Sequence, residues 1–285
     1  MDRGPTSAQG TTGVGSLLSG PGPVLMGILN VTPDSFSDGG EFFSCEAAVA
    51  RAELMLDEGA RIIDVGGEST RPGSDPVSFQ EELHRVIPVI RRLLEARPGV
   101  SVSIDTYRAS TAEAALDVGA RIVNDVTALS DPKMGALVAE RGCPVVLMHM
   151  LGEPKSMQQN PHYEDVVGEV RDFLAARAER AIAAGVAEEN IVLDPGIGFG
   201  KTLQHNLELL NNLGALVRLG FPVLVGTSRK SFLGKILGSE DAKSRLFGTV
   251  ASTVLAYERG ATLFRVHDVG PNREALAVAG AIRGA

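Results

Sequence analysis

Tryptophan is absent from the chain, and aromatic residues make up only 5% of its 285 positions. A sequence so poor in rings has no stacking platform for single-stranded nucleic acid. Basic residues are outnumbered 27 to 35, for a net charge of −8. That excludes a general polyanion binder and so predicts no nucleic-acid partner, while leaving room for one local anion pocket. No apolar run reaches the ~18 residues of a membrane span, so no membrane partner is expected. Cysteine is scarce too. Cys45 and Cys143 lack metal-ligand spacing and read as buried, reduced thiols. Few cysteines and no secretory signal pattern point to the cytoplasm.

What remains is an ordinary globular composition, with 44% hydrophobic and 22% charged residues. Glycine is the exception: there are 33, against an average near 7%. Gly59, Gly99, Gly119, Gly142, Gly185, Gly220 and Gly260 each precede an apolar run, where a left-handed residue ends a helix. They recur about every 33 residues, the length of one strand–helix unit. The apolar runs are Val24–Leu29, Ile62–Val65, Val100–Ile104, Ile122–Val123, Pro144–Met148, Ile191–Leu193, Val223–Val225 and Leu263–Val266. They are short and rich in β-branched residues, as parallel strands buried on both faces are. Helices are predicted between them, over Cys45–Glu58, Phe79–Glu95, His162–Ala184, Leu203–Leu219 and Leu246–Glu258. In the second, Leu83, Val86, Ile87, Ile90 and Leu94 form the apolar stripe. Eight such units in a chain of this length predict a single (β/α)8 TIM barrel rather than an open doubly wound sheet. Residues 1–22 read as a flexible tail and 23–285 as the catalytic domain.

In this fold the active site lies at the C-terminal ends of the strands. Every run here delivers polar groups to that mouth: Asn30; Asp64 to Arg71; Asp105; Asn124 and Asp125; His149; Asp194; Ser228 to Lys230; Arg265 and His267. Each alone reads as a cap or turn residue, but eight in phase read as a site. Asp64 and His149 are taken as structural. Arg71, Lys230, Arg265 and His267 suit an anionic group such as phosphate, with backbone donors from a helix starting near Pro271. Asp105, Asn124 and Asp194 suit the NH/NH2 edge of a flat heterocycle. Asn30 offers a hard oxygen for Mg2+ beside phosphate. Asn30–Gly40 and Gly66–Gly73 read as mouth loops that could act as lids.

No metalloprotease helix motif, Cys–His pair or Ser-His-Asp signature is present, so no covalent nucleophile is indicated. The run Pro195–Thr202 ends like a P-loop, but Pro195 stands where that motif needs glycine. Its glycines instead let backbone approach a ligand near Asp194, with Phe199 offering a ring.

Eight stretches together resemble the dihydropteroate synthase family: MGILNVTPDSFSDGG at 26–40, GGESTRPG at 66–73, SIDT at 103–106, NDV at 124–126, LMHM at 147–150, DPGIGFGK at 194–201, TSRKSF at 227–232 and RVHDV at 265–269. The resemblance implies a pterin-binding barrel that joins 6-hydroxymethyl-7,8-dihydropterin diphosphate to p-aminobenzoate in folate biosynthesis, with Mg2+, and that sulfonamides compete with p-aminobenzoate. It implies that Asp105, Asn124, Asp194 and Lys230 hold the pterin. Thr70, Arg265, Val266 and His267 would face the diphosphate, and Asn30 the metal. Phe36, Thr70, Arg71, Pro72, Phe199 and Ser231 would shape the p-aminobenzoate site. Asp34, Lys230 and Arg71 would serve the chemistry, Asp34 by stabilising a pterin cation. Homodimers are implied, with the Leu246–Glu258 helix as a candidate contact. The alternative is methyl transfer from a methylated tetrahydrofolate on the same kind of barrel. That reaction expels no diphosphate and has less need of the cationic rim. A non-catalytic pterin binder is a third reading.

Overall fold

The computed structural model of the chain describes residues 14, 22–32, 40–69, 74–153 and 155–285. All eight apolar runs are strands. They are β1 (Val24–Asn30), β2 (Ile62–Gly66), β3 (Ser101–Asp105), β4 (Ile122–Asp125), β5 (Val145–Met148), β6 (Ile191–Asp194), β7 (Leu224–Val225) and β8 (Leu263–Val266). They pair in parallel in the order β6-β5-β4-β3-β2-β1-β8-β7, and a parallel bridge between Leu193 and Val223 joins the two ends. The sheet is thus the (β/α)8 barrel that the repeat predicts.

Alternation along the strands separates two apolar clusters. Val65, Val102, Ile104, Val123, Val145, Leu147, Leu193, Phe264 and Val266 pack outward with the helices. Val24, Met26, Ile62, Ile122, Val146, Val192, Leu224 and Leu263 form a second cluster that fills the lumen floor, where Val14 joins them. The next inward positions on β2, β3, β4, β6 and β8 are polar, Asp64, Ser103, Asn124, Asp194 and Arg265, all but the arginine buried, while β1 and β5 place Ile28 and Met148 there. Period-2 geometry therefore sets a layer of charge and amide directly on an apolar floor.

The return helices are α1 (Gly40–Asp57), α2 (Phe79–Ala96), α3 (Ala109–Asp117), α4 (Met134–Arg141), α5 (Val166–Ala183), α6 (Leu203–Asn211), α7 (Gly214–Val217), α8 (Ser231–Leu237), α9 (Leu246–Glu258) and α10 (Val269–Arg283). All seven punctuating glycines have positive φ, from 58° to 111°. Several boundaries differ from the sequence reading. α1 starts ahead of Cys45. α5 starts at Val166, because the Asp165 side chain accepts from the Gly168 N–H and caps the helix there. The helix expected over Leu203–Leu219 breaks at Asn212, whose φ of −113° leaves the helical region and whose Nδ2 donates to the Glu208 carbonyl at 2.8 Å. The buried stripe of α2 is Glu82, Val86, Val89, Ile90 and Leu93, rotated from the predicted one because buried Glu82 has partners inside. Both cysteines are free thiols, but only Cys143 is buried and Cys45 is half-buried. Among the described residues no helix is long and apolar enough to cross a membrane.

Candidate active site

Strand register brings the heterocycle candidates together. Asp105 ends β3 and is registered against Asn124 of β4. Asp194 ends β6, and its Oδ1 accepts the Gly196 N–H at 2.7 Å. Arg265 of β8 crosses the lumen between two carboxylates, with Nε 2.6 Å from Oδ2 of Asp64 and Nη2 2.6 Å from Oδ2 of Asp105. Nδ2 of Asn124 also donates to Oδ2 of Asp64, at 3.0 Å. The sequence reading set Arg265 on an anion-binding rim. Two of its nitrogens are instead committed inside the barrel, and its Nη1 has no partner among the described residues.

Burial shapes the charges. It raises the Asp105 carboxyl to about 7, aided by the nearby Asp64 and Glu82 carboxylates and opposed by Arg265. It raises Asp194 as well, against the pull of Lys230 and the Gly196 N–H. Burial opposes the Arg265 charge, but Asp64 and Asp105 outweigh it and hold the guanidinium protonated. Lys230 is lowered to about 8 by burial, with Asp194 working the other way. Its Nζ donates to the Ile197 carbonyl and lies 4.5 Å from the centre of the Phe199 ring. Lys230 is also the N-cap of α8, which leaves Ser231 exposed in the first turn.

His267 follows β8. Its backbone N–H donates to Oγ of Ser228 at 3.1 Å, and its Nδ1 is 3.0 Å from the same oxygen. Ser228 is buried, and its hydroxyl holds both the backbone and the ring of His267 in place. The Val266 side chain is buried in the outer cluster and can offer a ligand only backbone. The first turn of α10 is less of an anion site than expected. The Gly270 N–H goes to the Glu58 carboxylate at 3.3 Å, and Pro271 has none.

Asn30 ends β1 half-buried, with no side-chain partner among the described residues. One neutral hard oxygen fits Mg2+ where diphosphate oxygens and water complete the shell. The β6–α6 segment is no P-loop: Gly196, Gly198 and Gly200 all have positive φ, and a Cβ on Gly196 would collide with the His149 carbonyl. His149 is structural as read, buried edge-on to Phe173 at 4.8 Å. Asp64 was read as structural, and it is the buried partner of Asn124 and Arg265 in the lumen layer. Its signal was an acid at an inward position of an apolar run. Asp34, Phe36, Thr70, Arg71 and Pro72 lie outside the described residues.

Known proteins are similar to this chain in sequence and fold. The Pterin binding enzyme family model matches residues 26–267. The dihydropteroate synthase of Haemophilus influenzae is 46% identical over 256 residues, covering 90% of this chain and 92% of that one. Xanthomonas albilineans dihydropteroate synthase with 4-aminobenzoic acid superposes with a TM-score of 0.88 at 47% identity, over 93% of this chain and 94% of that one. The same enzyme in complex with 7,8-dihydropteroate gives a TM-score of 0.85 at 44% identity, covering 93% and 95%. With the lumen layer in place and that identity along nearly its whole length, the chain belongs to the dihydropteroate synthase family of pterin-binding enzymes.

Proposed function

We propose that the chain condenses 6-hydroxymethyl-7,8-dihydropterin diphosphate with p-aminobenzoate, releasing diphosphate and 7,8-dihydropteroate. The observation that carries this reading is the buried row of acceptors at Asp105, Asn124 and Asp194, closed on one side by Lys230 and Phe199. Such a row suits the donor edge of a pterin. Loss of diphosphate leaves a methylene cation delocalised into the ring, so the protein need supply no nucleophile. It must hold the ring, stabilise the leaving charge and exclude water. Asp105, Asn124 and Asp194 hold the ring, and Lys230 turns to it from Ile197. His267, oriented by Ser228, and the remaining nitrogen of Arg265 face the diphosphate. Phe199 and Ser231 border the amine. Mg2+ held by Asn30 would supply charge neutralisation at the diphosphate.

The same reading includes a homodimer. Leu207, Ile236, Leu237 and Leu255 are exposed around a groove of about 620 Å³ between α6, α8 and α9. Phe247 beside it is 83% exposed. A second copy covering this face accounts for such apolar exposure. Sedimentation should give a dimer that Phe247→Glu weakens. Two reduced cysteines fit a cytoplasmic location.

The deciding experiment supplies purified protein with Mg2+, the pterin diphosphate and p-aminobenzoate, and follows diphosphate. Release that depends on p-aminobenzoate is expected. Folded protein with none above background removes the reading.

A further inference from the structure

Asp64 sits mid-strand in β2, fully buried. Its Oδ2 accepts from two groups that face the ligand site, Nδ2 of Asn124 at 3.0 Å and Nε of Arg265 at 2.6 Å. Its Oδ1 is buried without a partner, as is Oγ of Ser103, the residue registered against it on β3.

The two ends of an amide side chain have the same shape and opposite hydrogen-bonding character. A carboxylate paired with a guanidinium accepts and does not donate. Only the N–H end of Asn124 can therefore face Asp64. Its Oδ1 is turned away, and no described residue partners it. The direction of the amide is thus set from behind, before any ligand arrives. Arg265 is treated likewise: Asp64 and Asp105 take two of its nitrogens and fix its plane across the lumen.

We propose that Asp64 is a specificity-determining positioning residue. Acting through Asn124, it makes the amide at that position present an acceptor to the ring, beside the Asp105 and Asp194 carboxyls. The face thereby selects a heterocycle edge bearing N–H and NH2 donors over one with a carbonyl oxygen at the same place. The inference rests on the pterin reading of the site and deepens it. An oxygen set against Asn124 would bury two acceptors face to face, and the site discriminates because neither then has a partner.

Calorimetric titration without p-aminobenzoate tests this with two probes, 2-amino-4-oxopteridine and its 2,4-dioxo analogue. Wild-type protein is expected to prefer the amino compound by about tenfold or more. Asp64→Asn presents either a donor or an acceptor to position 124, so the amide can turn. The preference should fall below about threefold, while the p-aminobenzoate KM of that variant stays within about twofold of wild type. A purely structural Asp64 would lower the Tm and leave the preference intact, and that result overturns the proposal. Should Asp64→Asn not fold, Asp64→Ser carries the same expectation. Wild-type protein that turns over substrate yet binds both pteridines alike overturns the proposal alone. Wild-type protein that neither binds pteridine nor releases diphosphate overturns the pterin reading with it.

Discussion

Nζ of Lys201 lies 2.9 Å from Nδ1 of His149, and both residues are buried. The same nitrogen is 2.9 Å from the Phe199 carbonyl and 3.4 Å from the His149 carbonyl. One side chain thus ties the end of β5 to the segment after β6. That segment carries both the Gly196 N–H that Asp194 accepts and the Phe199 ring beside Lys230. The tie needs no net charge to hold. Burial lowers Lys201 to about 7, with Lys230 adding to the effect and Asp194 opposing it.

Lys201→Met should destabilise the fold by about 2–4 kcal/mol, because it leaves the Phe199 and His149 carbonyls without their donor and Nδ1 of His149 without its partner. Urea unfolding reads this as a lower midpoint at an unchanged slope. Among the kinetic constants, the KM for p-aminobenzoate should rise more than that for the pterin diphosphate, since Phe199 loses its anchor. An unchanged midpoint would show that the tie carries no stability.

His149 gives the stability curve an acid limb. Burial, with help from the Lys201 charge, lowers its folded pKa to about 3 from the ordinary imidazole value of 6.5. Between those values the unfolded chain binds the proton and the folded chain does not. Stability therefore falls as pH drops through that window. His149→Gln removes the titration, and its stability should depend less on pH between about 6 and 4 than the wild type does. Parallel curves would place the imidazole in solvent contact.

The barrel was legible because its repeat is written in two independent signals. β-branched runs mark the strands, and a glycine before each next strand marks the helix end. Asp105, Asn124 and Asp194 were legible as polar residues closing such runs. Asp64 was not: it lies inside a run rather than at its end, and Gly66 and Gly67 carry the chain on past it towards Arg71, so it reads as structural. Its role depends on Arg265, which the chain brings back only at β8. Glu82 was hidden for the same reason: its partners, Thr106, Arg108 and Thr111, arrive from the following unit. The break at Asn212 was missed because the apolar spacing of Leu209, Leu213 and Leu216 continues through it.

Lys230 sets a basic limb on activity. Its pKa is lowered to about 8 by burial, and the proposed reaction uses it as the charged ammonium against the ring. The kcat/KM for the pterin diphosphate should therefore decline as pH rises through about 8. Lys230→Arg keeps the charge to higher pH, so its profile should lose that limb while its plateau drops. Lys230→Ala and Asp194→Ala should abolish turnover with the fold retained. A flat profile up to pH ~10 in the wild type would remove Lys230 from that role.

Two glycines of one segment should respond differently to alanine. Gly196 has φ +65°, and a Cβ there would run into the His149 carbonyl, a backbone atom that cannot move alone. Gly198 has φ +85°, and its Cβ would meet Cδ of Lys230 at 3.0 Å, the middle of a flexible side chain. Gly196→Ala should cost about 3 kcal/mol or more and Gly198→Ala about 1–2 kcal/mol, the left-handed penalty dominating the second. The Gly198 variant should still impair turnover, because it displaces Lys230. Thermal melts and the synthase assay together separate the two effects.

Arg108 and Glu82 form an ion pair at 2.7 Å in which the carboxylate is buried and the guanidinium half-buried. Glu82 is 1% exposed, and its carboxylate accepts from Thr106 Oγ1 at 2.7 Å, Thr111 Oγ1 at 2.8 Å and Arg108 Nη1 at 2.7 Å. The same Nη1 is 2.7 Å from Glu68, and Nη2 donates to the Val77 carbonyl at 2.9 Å. One guanidinium therefore balances two carboxylates and grips the chain just ahead of α2. Arg108→Met leaves both acids facing each other away from water, and should cost about 3–5 kcal/mol. Removing one of them as well relieves the repulsion. The double variant Arg108→Met, Glu82→Gln should accordingly be less destabilised than the two single changes added together, by about 1–3 kcal/mol. Urea midpoints for the four proteins of the cycle give that coupling directly. Additive losses would mean that the three groups sit together without sharing charge, and that Thr106 and Thr111 alone keep Glu82 inside.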